Sequence, residues 1–257
     1  MPDFLTVDYF VRFVLVFFRI GGIIVFVPFY NHRIFSSPIK ISLALIVSFI
    51  TFPLLAVQTF TPPREVIGLI LAVLSELMIG FVIGYAAQLL FTGVQFAGEL
   101  ISLQMGLGLA NLLDPVFGEQ STVMSQLYNL FALLIFVSLN GHHFLLRAAI
   151  QTFDFVPLGG FHYSTDLGRH LLILFGNIFT IAFHISAPVF IALFLSYMAM
   201  GLISRTIPQM NVFMVSPPLQ IMVGLVMVGL SITATVMTLR FFFARFEEDL
   251  RWIIANL

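Results

Sequence analysis

From Val66 to Leu113 the chain runs for 48 residues without a proline and with only two charged side chains, Glu76 and Glu99. About 20 apolar residues, rising about 1.5 Å each, cross a bilayer as a helix. The stretch is therefore more than twice as long as a single span needs. Two arrangements accommodate it: the chain folds back near Gly93 to Gly98, or one helix continues beyond the lipid into a space lined by protein. From Gln88 onward polar groups recur at Gln88, Thr92, Gln95, Glu99 and Ser102, in steps of four, three, four and three. That spacing keeps them on one helical face.

The rest of the chain is built in the same way. Charge, proline and turn residues cluster at Asn31 to Lys40, Thr61 to Glu65, Asp114 to Ser121, Asp154 to Arg169 and Ser204 to Asn211, and such clusters break regular structure. They leave six apolar segments, roughly 9–30, 41–60, 66–113, 123–147, 170–201 and 212–243. Only 9% of the residues are charged and 60% are hydrophobic, whereas soluble domains carry about a quarter charged. In lipid the backbone must satisfy itself, as a helix or a closed barrel, and these runs lack the period-two alternation of barrel strands. The expected fold is all-α: a polytopic helical membrane protein of about six long hydrophobic segments arranged as helical hairpins.

Charge and cysteine content exclude several classes of function. A net charge of −1 without any Lys or Arg run gives no footprint for nucleic acid or an anionic lipid patch. Without cysteine there are no disulfides, thiolate metal sites or thiol nucleophiles. Asp3 and Asp8 precede the first apolar run where a secretory signal would carry positive charge, so that run is expected to be retained. Positive residues between the segments and at the ends divide six (Arg64, Arg147, Arg169, Arg240, Arg245, Arg251) against three (Arg33, Lys40, Arg205), which favours a cytoplasmic C-terminus for six simple spans. Arg12 and Arg19 lie inside the first segment.

Polar and small residues form stripes within the apolar segments. Glu76, Gly80, Gly84, Gln88 and Thr92 stand four apart, and Gln95 and Glu99 continue the polar face. Small residues let two helix backbones approach, and the polar groups can bond across such an interface. Packing within the chain and contact with another subunit both fit this stripe. Asn177, Thr180, His184 and Pro188 mark a similar face in the fifth segment, and Gln220, Gly224, Ser231, Thr235 and Thr238 in the sixth. Ionisable groups in lipid are costly and often functional, so Glu76, Glu99 and His184 also support a rival reading, a self-contained transporter of a small solute or an ion. Enzyme signals are poor. His142 and His143 are adjacent and so point to different helix faces, and neither a nucleophile elbow nor a phosphate-binding glycine loop is present. Asn140-Gly141 before them reads as a helix end with a turn. No catalytic, cofactor or metal site is expected.

Two irregular segments carry the functional expectation. The first reads Met105, Gly106, Leu107, Gly108, Leu109, Ala110, Asn111, Leu112, Leu113, Asp114, Pro115. Its glycines and proline weaken helix while Leu and Met keep it apolar. Non-helical backbone at membrane depth is tolerated only when it is buried in protein or lines a cavity, and apolar constrictions gate by excluding water. This stretch is a candidate pore stopper, or else an ordinary buried helix break. The second segment joins the last two long helices and offers Arg205, Pro208, Gln209, Asn211 and Phe213 at a hairpin tip. It suits contact with a partner or simple solvation.

The landmarks Glu76 to Gly84, Gln95 to Gly108, Asp114-Pro115, Asn140-Gly141-His142, Pro188, and Ser204-Arg205-Thr206 through Pro208-Gln209-Met210-Asn211-Val212-Phe213 resemble, in the same order and along essentially the whole chain, the FliR family of flagellar export-gate proteins. The resemblance implies a non-enzymatic subunit of the flagellar type III export apparatus in the bacterial inner membrane and flagellar basal body. It implies assembly with FliP and FliQ into a closed helical channel, FlhB as a further partner, and unfolded flagellar proteins as cargo. It also implies a FliP-like part over 1–165, a FliQ-like hairpin over 166–257, and a plug near 106–118. Energy would come from other parts of the apparatus.

Overall fold

The structure is a computed structural model that describes residues 7–27, 36–55, 63, 65–107, 122–162, 164–207, 209 and 211–257. Among them every regular element is helical. In chain order these are α1 (Val7–Phe26), α2 (Ser37–Thr51) with a 3-10 turn over Phe52–Leu55, α3 (Val66–Gln104), α4 (Val123–Ser138), α5 (Gly141–Phe155), α6 (Thr165–Thr206) and α7 (Val212–Ala255). Four of them, α1, α3, α6 and α7, are long and apolar enough to cross a membrane. The all-α membrane fold expected from the sequence is the fold observed.

The overlong third segment is one unbroken helix of 39 residues, about 58 Å long at 1.5 Å per residue. It does not fold back at Gly93 to Gly98, because both glycines serve packing. A Cβ on Gly93 would stand 3.0 Å from the Ile181 side chain, and one on Gly98 would stand 2.7 Å from the Met124 carbonyl oxygen. From Ile79 to Ser102 no residue of α3 is exposed. Apolar character all round the helix therefore reflects burial in the protein on every side.

The helix stops at Gln104, nine residues before the end of the apolar run, and the stop has a local cause. Gly106 takes φ +78°, its N–H bonds the Leu103 carbonyl at 3.1 Å, and the Leu107 N–H bonds the Ser102 carbonyl at 3.0 Å. Those two bonds around a left-handed glycine are a Schellman cap. The fourth apolar segment likewise divides, α4 ending at Ser138 and α5 starting at Gly141. Asn140 at φ 58° makes the turn; Asn is among the few non-glycine residues that accept that conformation. At its other end α4 is capped by Thr122, whose hydroxyl accepts the Ser125 N–H at 3.2 Å.

The chain forms two compact units, each assembled from alternating stretches. The first comprises residues 1–89, 140–175 and 245–257, the second 90–139 and 176–244. In the first, α1 packs on α2, with Tyr9 and Phe13 edge-on to Phe52 at 4.6 and 5.5 Å. The start of α6 is tied to the end of α7 there by His170, which stacks on Trp252 at 4.3 Å and lies 3.3 Å from Asp249. In the second, Phe91, Phe136 and Phe243 meet at 5.4–5.8 Å and join α3, α4 and α7. Gly93 and Ile181 join α3 to α6.

Candidate functional site: a buried ion-pair hub and the capped end of the central helix

Two sites emerge, one in each unit. In the first unit the small-residue stripe of α3 meets α1. A Cβ on Gly80 would lie 2.7 Å from the Arg19 carbonyl oxygen and 2.9 Å from the Gly22 Cα, and one on Gly84 would lie 2.5 Å from the Phe26 Cβ. The obstructing atoms at Gly80 are backbone, so the two helices touch there along their main chains. One turn before Gly80, Glu76 receives the Arg19 guanidinium, and both side chains are fully buried.

The pair is saturated with hydrogen bonds. The Arg19 Nε and Nη2 both donate to the Glu76 carboxylate, the latter at 3.1 Å. Nη1 donates to the Val156 and Thr152 carbonyls at 3.0 and 3.2 Å, and Nη2 also reaches the Pro157 carbonyl at 3.3 Å. The Gly159 N–H donates to Glu76 Oε1 at 2.7 Å. The guanidinium carbon lies 4.2 Å from the centre of the Phe153 ring, within cation–π range. A buried charge is tolerated only when so paired. The hub fastens α1, α3, the end of α5 and the turn behind it.

Arg19 is the member that periodicity alone did not single out. The available signal was a positive charge inside one apolar segment and a negative charge inside another, each of which needs a partner. The remaining stripe residues Gln88, Thr92, Gln95 and Glu99 are half-buried along α3. His184 of α6 is exposed, with Nδ1 2.8 Å from the Thr180 carbonyl oxygen. The three ionisable groups of the rival transporter reading are thus divided: Glu76 belongs to the first unit and is taken up by Arg19, while Glu99 and His184 belong to the second.

In the second unit the irregular loop starts from a built base. Met105 is fully buried and lies across Gly224 of α7. The Tyr197 hydroxyl of α6 donates to the Gln104 carbonyl at 2.9 Å, covering a carbonyl that the Schellman cap leaves open. Gly106 and Leu107 complete the cap. The other loop positions, Gly108 to Pro115, lie outside the described residues, as does Pro208 of the hairpin tip. Arg205, Gln209 and Asn211 are exposed there, and Phe213 falls in the first turn of α7 with its side chain outside the described set.

Outside these sites, α6 and α7 each bury one stripe and expose the rest. Phe183, Phe194 and Leu195 on α6, and Leu225, Leu230 and Met237 on α7, are large apolar side chains left uncovered. Such faces require lipid or other subunits.

Comparison with known proteins agrees with this architecture. The family described as bacterial export proteins, family 1, matches residues 10–246. The flagellar biosynthetic protein FliR of Bacillus subtilis (strain 168) is 33% identical, over 97% of this chain and 96% of its own length. FliR of Aquifex aeolicus (strain VF5) is 30% identical over the same shares, and FliR of Escherichia coli (strain K12) is 31% identical over 80% and 78%. The chain belongs to family 1 of the bacterial export proteins, the FliR family.

Proposed function

We propose that this chain is a structural and gating subunit of the flagellar type III protein-export channel. Family membership and the names of the relatives support a role in flagellar export. The observation that carries the finer reading is the contrast between α3, with no exposed residue from Ile79 to Ser102, and the apolar outer faces of α6 and α7. A small-solute carrier needs a pathway through its own helices, whereas a subunit of a larger channel needs a rigid pillar and uncovered faces that neighbours complete. The partners in this reading are FliP, FliQ and FlhB, with residues 1–165 taking the FliP-like place and 166–257 the FliQ-like place. The site is the bacterial inner membrane at the flagellar basal body. The cargo is unfolded flagellar protein, and the subunit carries out no reaction of its own.

In this reading the segment from Met105 to Pro115 closes the resting channel, and cargo displaces it. Deleting residues 107–113 tests the closure, with an ion leak in resting cells as the expected result and a wild-type leak as the result that removes the plug assignment. Co-expression with the neighbouring subunits, followed by mass measurement of the purified particle, tests the assembly. Solute movement by the chain alone in proteoliposomes under a proton gradient would sink the export-gate reading in favour of the transporter.

A further inference from the structure

The first unit holds an apolar cleft of about 230 Å3 between α1, α2 and α3. Neighbouring glycines on α1 create it. A Cβ on Gly22 would lie 3.2 Å from the Gly80 Cα, so α1 closes on α3 there, whereas a Cβ on Gly21 would meet only the Ala44 Cβ of α2, at 4.0 Å. Two helices that face each other through their smallest residues leave a hollow that larger side chains would fill. Phe17 and Phe18 mark one end of the cleft, Leu77 lines it from α3, and Phe26, edge-on to Phe81 at 4.9 Å, marks the other end. From Phe17 to Phe26 the cleft follows α1 for about 14 Å at 1.5 Å per residue. Val25, Phe26 and Ile41 are exposed along it, so it opens outward. Apolar cavities of about 150 Å3 already take up benzene, and this one has room for part of an acyl chain.

The charge at the cleft matches a lipid headgroup. Helix α1 has 20 residues, about 30 Å and so about the thickness of the hydrocarbon core, which puts its last residues, Val25 and Phe26, where tails give way to headgroups. The first turn of α2 stands at the same level, because α1 and α2 run antiparallel: Gly21 faces Ala44, and Phe13 meets Phe52. Lys40, in that turn, is the only polar side chain among the described residues that line the cleft. No acidic side chain shares the turn, and the Ser36 hydroxyl does not cap it. The ammonium and the positive end of the helix both favour an anion. Beyond Lys40 the outer face of α2 stays apolar, with Ile41, Leu45 and Phe49 exposed at steps of four. Within a bilayer an acyl chain gains little by leaving other tails for an apolar cleft. Selectivity therefore comes from the headgroup, and basic groups beside pockets between helices bind acidic headgroups. The sequence has no basic run, so what is recognised is one lipid molecule and not a charged surface.

We propose that this cleft of α1, α2 and α3 is a binding site for one anionic phospholipid, with an acyl chain lying along Gly21 and the headgroup phosphate on Lys40. The lipid completes the packing of α1 against α2, beside the contact of α1 with α3.

The test uses the full chain, with the subunits that accompany it, in phosphatidylcholine vesicles carrying a trace of photoactivatable lipid: phosphatidylglycerol or phosphatidylcholine with the same diazirine-bearing acyl chain. Peptide mass spectrometry reads where each attaches. Phosphatidylglycerol is expected to label residues 17–26 and 41–44 about fivefold more than phosphatidylcholine does, the contribution of one lysine toward an anionic lipid. The two probes should label other apolar faces, such as that of Leu230 on α7, alike. Lys40→Gln should remove the excess and Lys40→Arg keep it. Gly21→Leu puts a side chain into the cleft and should lower labelling of 41–44 by both probes severalfold with α7 unchanged. Should that variant fail to fold, Ala44→Leu, read at 17–26, fills the cleft from the opposite wall. Equal labelling by the two lipids in the wild type reduces the cleft to contact with bulk lipid and overturns the proposal. An excess that survives Lys40→Gln or the filled cleft overturns it as well. So does an absence of label at 17–26 and 41–44, which would show the cleft covered by a neighbouring subunit.

Discussion

Arg19 and Glu76, 57 positions apart in sequence and both fully buried, meet as an ion pair whose remaining hydrogen-bonding capacity is spent on the backbone at Thr152, Val156, Pro157 and Gly159. Breaking such a pair strands a charge, which costs about 3–5 kcal/mol, more than the pair contributes in total. Arg19→Ala and Glu76→Ala should each destabilise the chain by that order. Arg19→Met combined with Glu76→Leu should cost less than either single change. Arg19→Lys should also fail, because a point charge cannot serve a carboxylate and three carbonyls in one fork. Thermal unfolding of the co-purified particle in detergent measures all four. If Glu76→Ala melts with wild type, the hub is dispensable.

The Gly80–Gly22 approach predicts a second stability effect with a built-in contrast. Gly80→Ala pushes a methyl into the Arg19 carbonyl and the Gly22 Cα, both of them main chain that cannot swing aside, and overpacking of that kind costs about 1–3 kcal/mol. Gly201→Ala meets nothing within 4 Å and should be neutral or gain up to about 1 kcal/mol in helix propensity. Equal effects on chain accumulation and on unfolding temperature would show that α1 and α3 do not touch as described.

These two cases mark how far the sequence was legible. Helix class followed from the apolar runs because lipid and burial impose the same requirement on a backbone, while the count of six was only approximate, since the fourth segment divides into α4 and α5. Glu76, Gly80 and Gly84 were visible as a face because helical spacing is a local property. Their partner was not, since nothing in a period of 3.6 residues says which of several apolar helices will lie opposite. Arg19 could be suspected only as an unpaired cost. The length of α3 was ambiguous for a related reason: a fold-back near Gly93 to Gly98 and one helix continuing into a space lined by protein fitted the sequence equally, and the Ile181 and Met124 contacts of those glycines belong to the second. The end of the helix at Gly106 was half-legible, since glycine signals a cap but the two Schellman bonds need three-dimensional closure. Asn140-Gly141 gave its turn correctly because the left-handed preference of Asn belongs to the residue itself.

Gln220 supplies a prediction of opposite sign. Its amide is buried with no partner among the described residues, and leaving such a group unsatisfied costs about 1–3 kcal/mol. Gln220→Leu keeps the approximate volume and removes that cost, so the chain should gain about 1 kcal/mol, read as a higher unfolding temperature. Gln220→Glu places a charge in the same site and should destabilise strongly. A loss of stability with Leu would mean that the amide is satisfied in the assembled particle.

The hairpin tip separates folding from assembly. Arg205 is exposed at the end of α6 and forms no ion pair among the described residues, and Gln209 and Asn211 are exposed beside it. Surface substitutions away from buried features usually change stability by about 0.5 kcal/mol or less, so Arg205→Ala and Gln209→Ala should leave the chain's accumulation and melting unchanged. In the proposed export-gate reading, these exposed side chains would donate to carbonyls of a neighbouring subunit. The expected outcome for the Arg205→Ala, Gln209→Ala double variant is therefore a stable chain with reduced recovery of the multi-subunit particle and reduced swimming on soft agar. Lys at position 205 should restore part of the loss if charge matters and none if the planar fork is required. Wild-type swimming in the double variant would return the tip to the status of a solvated turn.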